Sequence, residues 1–155
     1  MKNEKLVDLI LSKSESKDWG IAKGEWHLHS VYFSKKECCA CGHYPIKEIC
    51  LIKNKLNGNI ERVGNHCVSK FLEMDSIKIF QYIKGLKNSK FKKVTPVVSE
   101  HAYSLNCIDS WELKFFNDVF KKKKRTDKQD EMLFKIENKI MAGYLKHYRH
   151  LWTAL

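Results

Sequence analysis

Hydrophobic and polar positions follow two different periods at the start of the chain. Residues 3–13 carry leucine and isoleucine at helical spacing, which predicts a short first helix. Residues alternate from Trp26 to Phe33, as is typical of a strand, with Trp26, Leu28 and Tyr32 on one side. The chain is therefore expected to pass from a helix to a strand before it reaches its first cysteine.

A β-hairpin is predicted next, around Asn57-Gly58. Residues 46–53 and 59–63 on either side have strand-like composition. A type I′ turn favours an asparagine–glycine pair because both of its central residues adopt a positive φ. Asn65 follows the second strand and is positioned to cap a helix whose apolar residues begin at Val68.

The next segment combines a helical pattern with a basic stretch. Asp75 is positioned to cap this helix. The residues expected to face inward from it are Ile77, Phe80, Ile83 and Leu86. The stretch that follows, up to Ser99, is basic and contains Pro96, so it predicts a loop or an edge strand.

Two capping boxes mark the beginnings of the last two helices. Asp109 with Glu112 and Thr126 with Gln129 have the required spacing of three residues. The apolar residues at helical spacing in the first of these helices are Trp111, Phe115, Phe116 and Val119. Those expected to face inward in the second are Leu133, Ile136, Ile140, Tyr144, Tyr148 and Leu151. The last third of the chain is therefore predicted to be a helical hairpin.

These elements predict an α+β protein with two parts. Residues 1–74 combine the first helix with the hairpin, and residues 75–155 form a helical region with a basic linker. The 155 residues and the 43% apolar content are sufficient for a buried core and exclude wholesale disorder. The chain begins with no apolar run long enough for a signal peptide or a membrane span, so we expect a cytoplasmic protein.

The cysteines add a metal site to this picture. Three of the six lie within four positions, in Cys38-Cys39-Ala40-Cys41-Gly42. Disulfides are rare in a reducing compartment, and this spacing suits a knuckle whose backbone amides point at thiolate sulfur. Cys67 lies in the first turn of a predicted helix, where free amides and the helix dipole stabilise a thiolate. We expect Zn²⁺ to be bound by Cys41, Cys67 and either Cys38 or Cys39.

The fourth ligand stays open at this point. The candidate histidines are His66, which is nearest in sequence, and the more distant His27, His29 and His43. Binding by both Cys38 and Cys39 is a further possibility. Cys50 on the hairpin and Cys107 before a later helix are expected to be core cysteines.

Residues 38–71 carry three motifs in a fixed order. These are Cys39-Ala40-Cys41-Gly42, the Asn57-Gly58 pair after an apolar strand, and Val63-Gly64-Asn65-His66-Cys67 before an apolar helix. In this order the motifs resemble small treble-clef zinc-finger proteins encoded by bacteria and their phages. The resemblance implies a zinc module and favours Cys39 over Cys38 as the first ligand. It implies no activity.

The sequence offers no set of catalytic residues. A dithiol oxidoreductase would place Cys38 and Cys41 at the start of a helix, whereas residues 42–45 contain glycine and proline. A treble-clef nuclease would use His66 as its base and would need more metal ligands on the following helix, which offers only Glu73. We therefore do not expect an enzyme.

Net charge indicates the class of partner. The chain has 29 lysine and arginine residues against 18 acidic ones, a net charge of +11, which favours DNA or RNA as the partner. An anionic membrane surface or an acidic protein would also fit this charge, but we expect no membrane partner. Lysines would neutralise phosphates, and exposed aromatic rings would stack on unpaired bases. The predicted contacts are Lys78, Tyr82, Lys84, Lys87, Lys90, Phe91, Lys92, Lys93, Lys121, Lys122, Lys123, Lys124, Arg125, Lys135, Lys139 and Lys146.

Together these features predict a zinc-stabilised protein that binds nucleic acid mainly through its phosphates. An alternative fits the same small size and high charge. In that alternative the chain is a phage-type interaction protein that docks on a host protein or nucleoprotein complex and inhibits it.

Overall fold

The computed structural model describes residues 2–90 and 93–150. These residues form two compact units, residues 2–77 and residues 78–150. The fold is mixed α+β, as predicted, with a three-stranded antiparallel sheet in the first unit and helices in the second. Among the described helices, none has both the length and the apolar character needed to cross a membrane.

Along the chain, the first unit begins with short helices, continues with the three strands of the sheet and ends with another short helix. Its elements are α1 (Lys2–Ser12), α2 (Trp19–Ala22), a 3₁₀ turn (Lys23–Glu25), β1 (Trp26–Glu37), β2 (Ile46–Asn54), β3 (Ile60–Gly64) and α3 (Asn65–Phe71). The strands follow the order β1-β2-β3, so β2 is the central strand. The predicted first helix and all three predicted strands are confirmed.

The first strand changes its buried side part of the way along. Trp26, Val31 and Phe33 are all buried. In a regular strand Val31 and Phe33 would face the side opposite to Trp26, because side chains alternate between the two faces. The register shifts between Leu28 and Ser30, so one extra residue of β1 faces β2 there. This bulge reverses the alternation, and the prediction of Trp26, Leu28 and Tyr32 on one side of a regular strand is therefore wrong.

The hairpin between β2 and β3 closes through a longer turn than predicted. Gly58 has a φ of +76°, but Asn57 does not have the positive φ that a type I′ turn requires. Instead the Gly58 amide donates to the Asn54 carbonyl at 3.0 Å. The Asn54 side chain accepts from the amides of Leu56 and Asn57, which stabilises the loop. The hairpin is confirmed and the turn type is corrected.

A buried carboxylate anchors the segment between α1 and the sheet. Glu25 accepts hydrogen bonds from the amides of Glu15 and Ser16 and from the side-chain amide of Asn54. These three donors satisfy a charge that would otherwise be costly to bury. Glu25 thereby joins the end of α1 to the end of β2.

The second unit consists of four helices. They are α4 (Ile77–Lys87), which begins at the boundary, α5 (Pro96–Ser104), α6 (Ser110–Phe120) and α7 (Asp127–Tyr148). Both predicted capping boxes are present, at Asp109 and at Thr126. Residues 93–95 form a loop, as predicted, but helix α5 begins at Pro96 and replaces the rest of the predicted loop or edge strand. Thr95 accepts from the Val98 amide as N-cap, and Pro96 occupies the first turn.

The buried faces of these helices agree with the prediction for α7 and differ for α4 and α6. The buried residues of α7 are Leu133, Ile136, Ile140, Tyr144 and Tyr148, as expected, and Leu151 lies outside the described residues. In α4 the buried set includes Tyr82, whereas Ile77 is 38% exposed. In α6 Phe116 and Val119 are buried, but Trp111 is 56% exposed and does not belong to the core.

A histidine–tyrosine pair lies inside the second unit. His101 Nδ1 is 2.6 Å from Tyr144 Oη, and Tyr144 packs edge-on against Tyr82 with ring centroids 4.9 Å apart. Burial, together with the nearby His147, lowers the pKa of His101 to about 4. His101 is therefore neutral in the folded protein near neutral pH.

Acid should destabilise the protein through His101. The unfolded histidine has a pKa near 6.5, so as the pH falls from about 6.5 to about 4 the unfolded chain gains a proton that the folded chain resists. The stabilisation is complete above that window, and about 3 kcal/mol of it is lost at its lower end. Denaturant unfolding as a function of pH should show this extra slope in the wild type and lack it in His101→Gln. The exposed His29→Gln is the control, and an equal slope in His101→Gln would contradict the assignment.

Helix α7 approaches Cys107 closely at Gly143. A β-carbon on Gly143 would lie 2.3 Å from Cys107 Sγ and 2.8 Å from Cys107 Cβ. Replacement by alanine should destabilise the protein, because overpacking costs about 1–3 kcal/mol while the gain in helix propensity is at most about 1 kcal/mol. Denaturant unfolding of Gly143→Ala tests this, with Gly24→Ala as a control that meets no atom within 4 Å. A Gly143→Ala variant as stable as wild type would refute the close approach.

Candidate metal centre

A tight turn between β1 and β2 holds two cysteines. The Gly42 amide donates to the Cys39 carbonyl at 2.8 Å, and the Cys39 amide donates to the His43 carbonyl at 2.9 Å. Gly42 has a φ of +90°, a conformation that other residues adopt with strain. The turn brings the side chains of Cys39 and Cys41 to the same side, where both are buried.

Strand β3 fixes this turn from the other end of the hairpin. The Ala40 amide donates to the Arg62 carbonyl at 3.1 Å, and the Gly64 amide donates to Cys39 Sγ at 3.2 Å. The Cys41 amide also donates to the Cys39 sulfur. Backbone amides are thus directed at a cysteine sulfur, as expected for a knuckle that stabilises a thiolate.

Helix α3 supplies the third cysteine. Gly64 is the N-cap, so Cys67 lies in the first turn, whereas Asn65, the predicted cap, is the first helical residue. The Asn65 side chain instead donates to Glu48 and accepts a hydrogen bond from Ser76. That part of the prediction is wrong, because two neighbouring segments engage the Asn65 side chain.

The three sulfur atoms form one compact group. The Sγ atoms of Cys39, Cys41 and Cys67 lie within 4.8 Å of one another, and those of Cys41 and Cys67 are 3.5 Å apart. Sulfur atoms bound to one tetrahedral ion at about 2.3 Å would be separated by roughly 3.8 Å. Both the donor chemistry and the spacing therefore fit a metal ion.

The cysteines of this group resist ionisation by themselves. Burial raises the pKa of the Cys39 and Cys67 thiols, and the neighbouring cysteine sulfurs raise the pKa of Cys67 further. Three thiolates this close would repel one another unless a cation lay between them. A divalent ion would replace the thiol protons and remove that repulsion.

Two predicted ligands lie outside this group. Cys38 is exposed, and its sulfur lies 3.5 Å from the Cys39 carbonyl oxygen. His66 is exposed on α3. Within the part of the chain that the structure describes, no histidine or carboxylate joins the three cysteines.

A pocket of about 610 Å³ opens beside the three sulfur atoms. His43 and His66 line it together with all three cysteines, whereas His27 and His29 do not. Ile46 and Phe71 contribute apolar surface to it, and polar side chains such as Glu48 and Lys70 also border it. The structure thus reduces the four candidate histidines for the fourth ligand to two that border the same space as the sulfurs.

The remaining two cysteines are separate from the centre. Cys50 is buried on the central strand, and burial raises the pKa of its thiol to about 12. Cys107 packs against Gly143 in the second unit. Cys50 agrees with the prediction of a core cysteine, whereas Cys107 is only half-buried.

The predicted nucleic-acid contacts fall into several environments. The exposed ones are Lys78, Lys84, Lys90, Lys93, Lys121, Lys122, Lys123, Lys124, Lys135, Lys139 and Lys146. Lys87 and Arg125 are half-buried, and Phe91 and Lys92 lie outside the described residues. Tyr82 is only 4% exposed, so the expectation that its ring stacks on a base is wrong.

Some of these cations already have acidic partners. Arg125 pairs with Asp130 at 2.7 Å, Lys135 with Glu131 at 3.3 Å and Lys139 with Glu112 at 2.9 Å. By contrast, Lys121, Lys122, Lys123 and Lys124 form no ion pair with any described acidic side chain. The described acidic side chains therefore leave the charge of the lysine run without ion-pair partners.

A tertiary contact joins the two basic stretches of the second unit. Lys93 Nζ lies 5.3 Å from the centroid of the Phe120 ring, and Phe120 is the last residue of α6. Lys93 therefore lies beside the end of α6, where residues 121–124 begin.

Helix α7 carries a further lysine that the prediction omitted. Lys128 precedes Lys135, Lys139 and Lys146 by 7, 11 and 18 residues, which aligns all four along one side of the helix.

Comparison with known protein families, with curated proteins and with solved structures finds no match for this chain. The function must therefore be inferred from the geometry and chemistry of its own residues.

Cys67→Ser should remove the metal, whereas Cys38→Ser should retain it. Loss of one of three clustered sulfur donors weakens a site that the exposed Cys38 does not share. Zinc content per chain, measured by elemental mass spectrometry after purification, distinguishes the two variants. We expect about one zinc ion per chain in wild type and in Cys38→Ser. Zinc retained by Cys67→Ser, or lost from Cys38→Ser, would contradict the proposed ligand set.

Proposed function

We propose that this chain is a zinc-stabilised nucleic-acid-binding protein in which a treble-clef metal centre holds the first unit and lysines of the second unit contact phosphates. The two units then have separate tasks. The metal supplies stability, and the lysines supply affinity.

The order of elements around the three cysteines supports the zinc centre. A knuckle, the β2–β3 hairpin and helix α3 follow one another, and the cysteines come from the knuckle and from the first turn of the helix. Thiolates are soft ligands, which favours zinc over magnesium or calcium. When bound, the ion would supply structural cross-linking between the two ends of the hairpin, and His43 or His66 would provide a further donor from the pocket wall.

The contact between Lys93 and Phe120 is the observation that supports nucleic-acid binding most directly. It gathers Lys93 and residues 121–124, five lysines from two separate segments, at one end of α6. Glu137 and Asp118 are nearby acids. Both Lys93 and Arg125 act to lower the pKa of Glu137, although burial raises that pKa overall. These two carboxylates do not neutralise five lysines, so the field of the group attracts a polyanion.

A purely local role does not account for so many cations. One or two positive charges near the C-terminus of a helix complement its dipole, at about 0.3–1 kcal/mol each, and the effect fades within one turn. The last turn of α6 itself contains no basic residue, and the lysines continue beyond Lys121, its C-cap. Like charges so close together repel one another, and neutralisation by phosphates would relieve that repulsion while releasing counterions.

The salt dependence of binding tests this proposal. Replacing Lys121, Lys122, Lys123 and Lys124 together by glutamine should flatten the plot of log affinity against log salt by about 3 units, since each lost phosphate contact removes about 0.7–0.9. The measurement is fluorescence anisotropy of a labelled oligonucleotide at several salt concentrations.

The matched control removes the same net charge from the first unit. Lys35, Lys36, Lys47 and Lys55 are exposed, and their joint replacement by glutamine should leave the slope nearly unchanged. An equal decrease in slope in the control would assign binding to net charge alone. Absence of salt-sensitive binding, together with a stoichiometric host protein in affinity capture, would favour the interaction-protein alternative.

A further inference from the structure

Helix α6 presents a stacked pair of aromatic rings outside the core. The rings of Trp111 and Phe115 are 5.4 Å apart between centroids and inclined by 23°. Trp111 is 56% exposed, whereas Phe116 and Val119 of the same helix are buried. A different face of α6 therefore packs against the core of the second unit. The exposed indole ring of Trp111 is not needed for that packing.

The pair lies on the same helix face as the start of the lysine run. Trp111, Phe115, Asp118 and Lys122 follow at intervals of four, three and four residues, which places them on one side of α6 and its extension. The turn continues past the helix, because the Lys122 amide donates to the Val119 carbonyl at 3.0 Å. An aromatic surface and a basic surface are thus continuous.

The charges that flank this face are mainly positive. Lys114 is exposed next to Phe115, and Lys121 and Lys122 lie at the far end. The exposed acids are Asp118, between them, and Asp109, the N-cap of α6. Glu112 faces away, because it is buried and paired with Lys139. The face therefore carries a net positive charge around two apolar rings.

These dimensions match a short length of one nucleic-acid strand. Trp111 and Lys121 are ten residues apart, or roughly 15 Å along a helix that rises about 1.5 Å per residue. A strand whose phosphates lie at the basic end of α6 would bring a base to Trp111 within a few nucleotides. Bases in a duplex already stack on one another, so only an unpaired base offers a free face to the indole ring.

A second copy of this chain is a less suitable partner for the same face. Two copies joined through Trp111 would bring Lys114 and residues 121–124 of both chains close together. Such like charges repel, which opposes association. A polyanion with exposed rings fits the face better, because its charges attract the lysines and its rings can stack on the aromatic pair.

We propose that Trp111, supported by Phe115, is a stacking platform for an unpaired base, so that the chain prefers single-stranded over double-stranded nucleic acid. This inference rests on the proposed nucleic-acid-binding function and specifies its substrate class. The lysines at the end of α6 bind the phosphates on either side of the stacked base.

Trp111→Ala and Trp111→Phe separate stacking from charge. Binding of a labelled single-stranded homopyrimidine oligonucleotide and of a duplex of equal length is measured by anisotropy at several salt concentrations. We expect Trp111→Ala to weaken single-strand binding about tenfold without changing the salt slope, because the indole ring contacts no phosphate. Trp111→Phe should retain most of the affinity, and duplex binding should be nearly unaffected in both variants.

Tyr44→Ala is the control, since Tyr44 is a 60% exposed aromatic residue of the first unit, to which no nucleic-acid contact is assigned. It should leave single-strand affinity unchanged. Denaturant unfolding of all three variants verifies that each remains folded.

Several outcomes would overturn the inference, and they separate it from the proposed function. Salt-sensitive single-strand binding that is unchanged in Trp111→Ala would refute stacking and leave the proposed function in place. Equal wild-type affinity for single strand and duplex, or an equal loss of single-strand affinity in Tyr44→Ala, would also refute stacking and leave the proposed function in place. No oligonucleotide binding at low salt would refute both. A dimer that Trp111→Ala dissociates, with unchanged oligonucleotide affinity, would assign the face to self-association.

Discussion

The meeting of three cysteine sulfurs at the two ends of one hairpin is the constraint on which the first unit depends. Cys39 and Cys41 lie before β2, and Cys67 lies after β3, so their approach closes the hairpin at its open end. The Gly64 amide, which donates to the Cys39 sulfur, aligns the end of β3 with the turn. Because buried thiolates in contact repel, this arrangement is most stable when a cation shares them.

The second unit is organised by packing, and its charge distribution follows from that packing. The buried face of α7 and the His101–Tyr144 hydrogen bond form an interior in which nearly every polar atom is satisfied, the His101 Nε2 atom being an exception among the described residues. The apolar residues of these helices pack inward. Lysines from segments that are separate in sequence lie together at one end of α6. A stable core therefore supports a surface whose like charges would otherwise oppose folding.

Local sequence signals predicted many of the elements, and their failures have identifiable causes. The capping boxes at Asp109 and Thr126 were recognised because each uses residues only three positions apart. The same kind of signal is present at Thr95-Pro96, but the basic composition and the proline of that stretch are equally typical of a loop, so the sequence did not predict α5. The bulge in β1 had no comparable signal, since it depends on how β1 pairs with a strand twenty residues further on.

The sequence by itself determined the first helix, the three strands, the helices α3, α4, α6 and α7, the core face of α7 and the cysteine-rich motifs, because spacing and capping act between near neighbours. Spacing alone left Cys38 and Cys39 open, although the resemblance favoured Cys39. The tertiary structure brings Cys39 together with Cys41 and Cys67, and the Gly64 amide, far along the chain, donates to its sulfur. It also decided that Tyr82 is buried and Trp111 exposed. Both are aromatic residues at helical spacing, and which of them meets solvent depends on where the neighbouring helices pack.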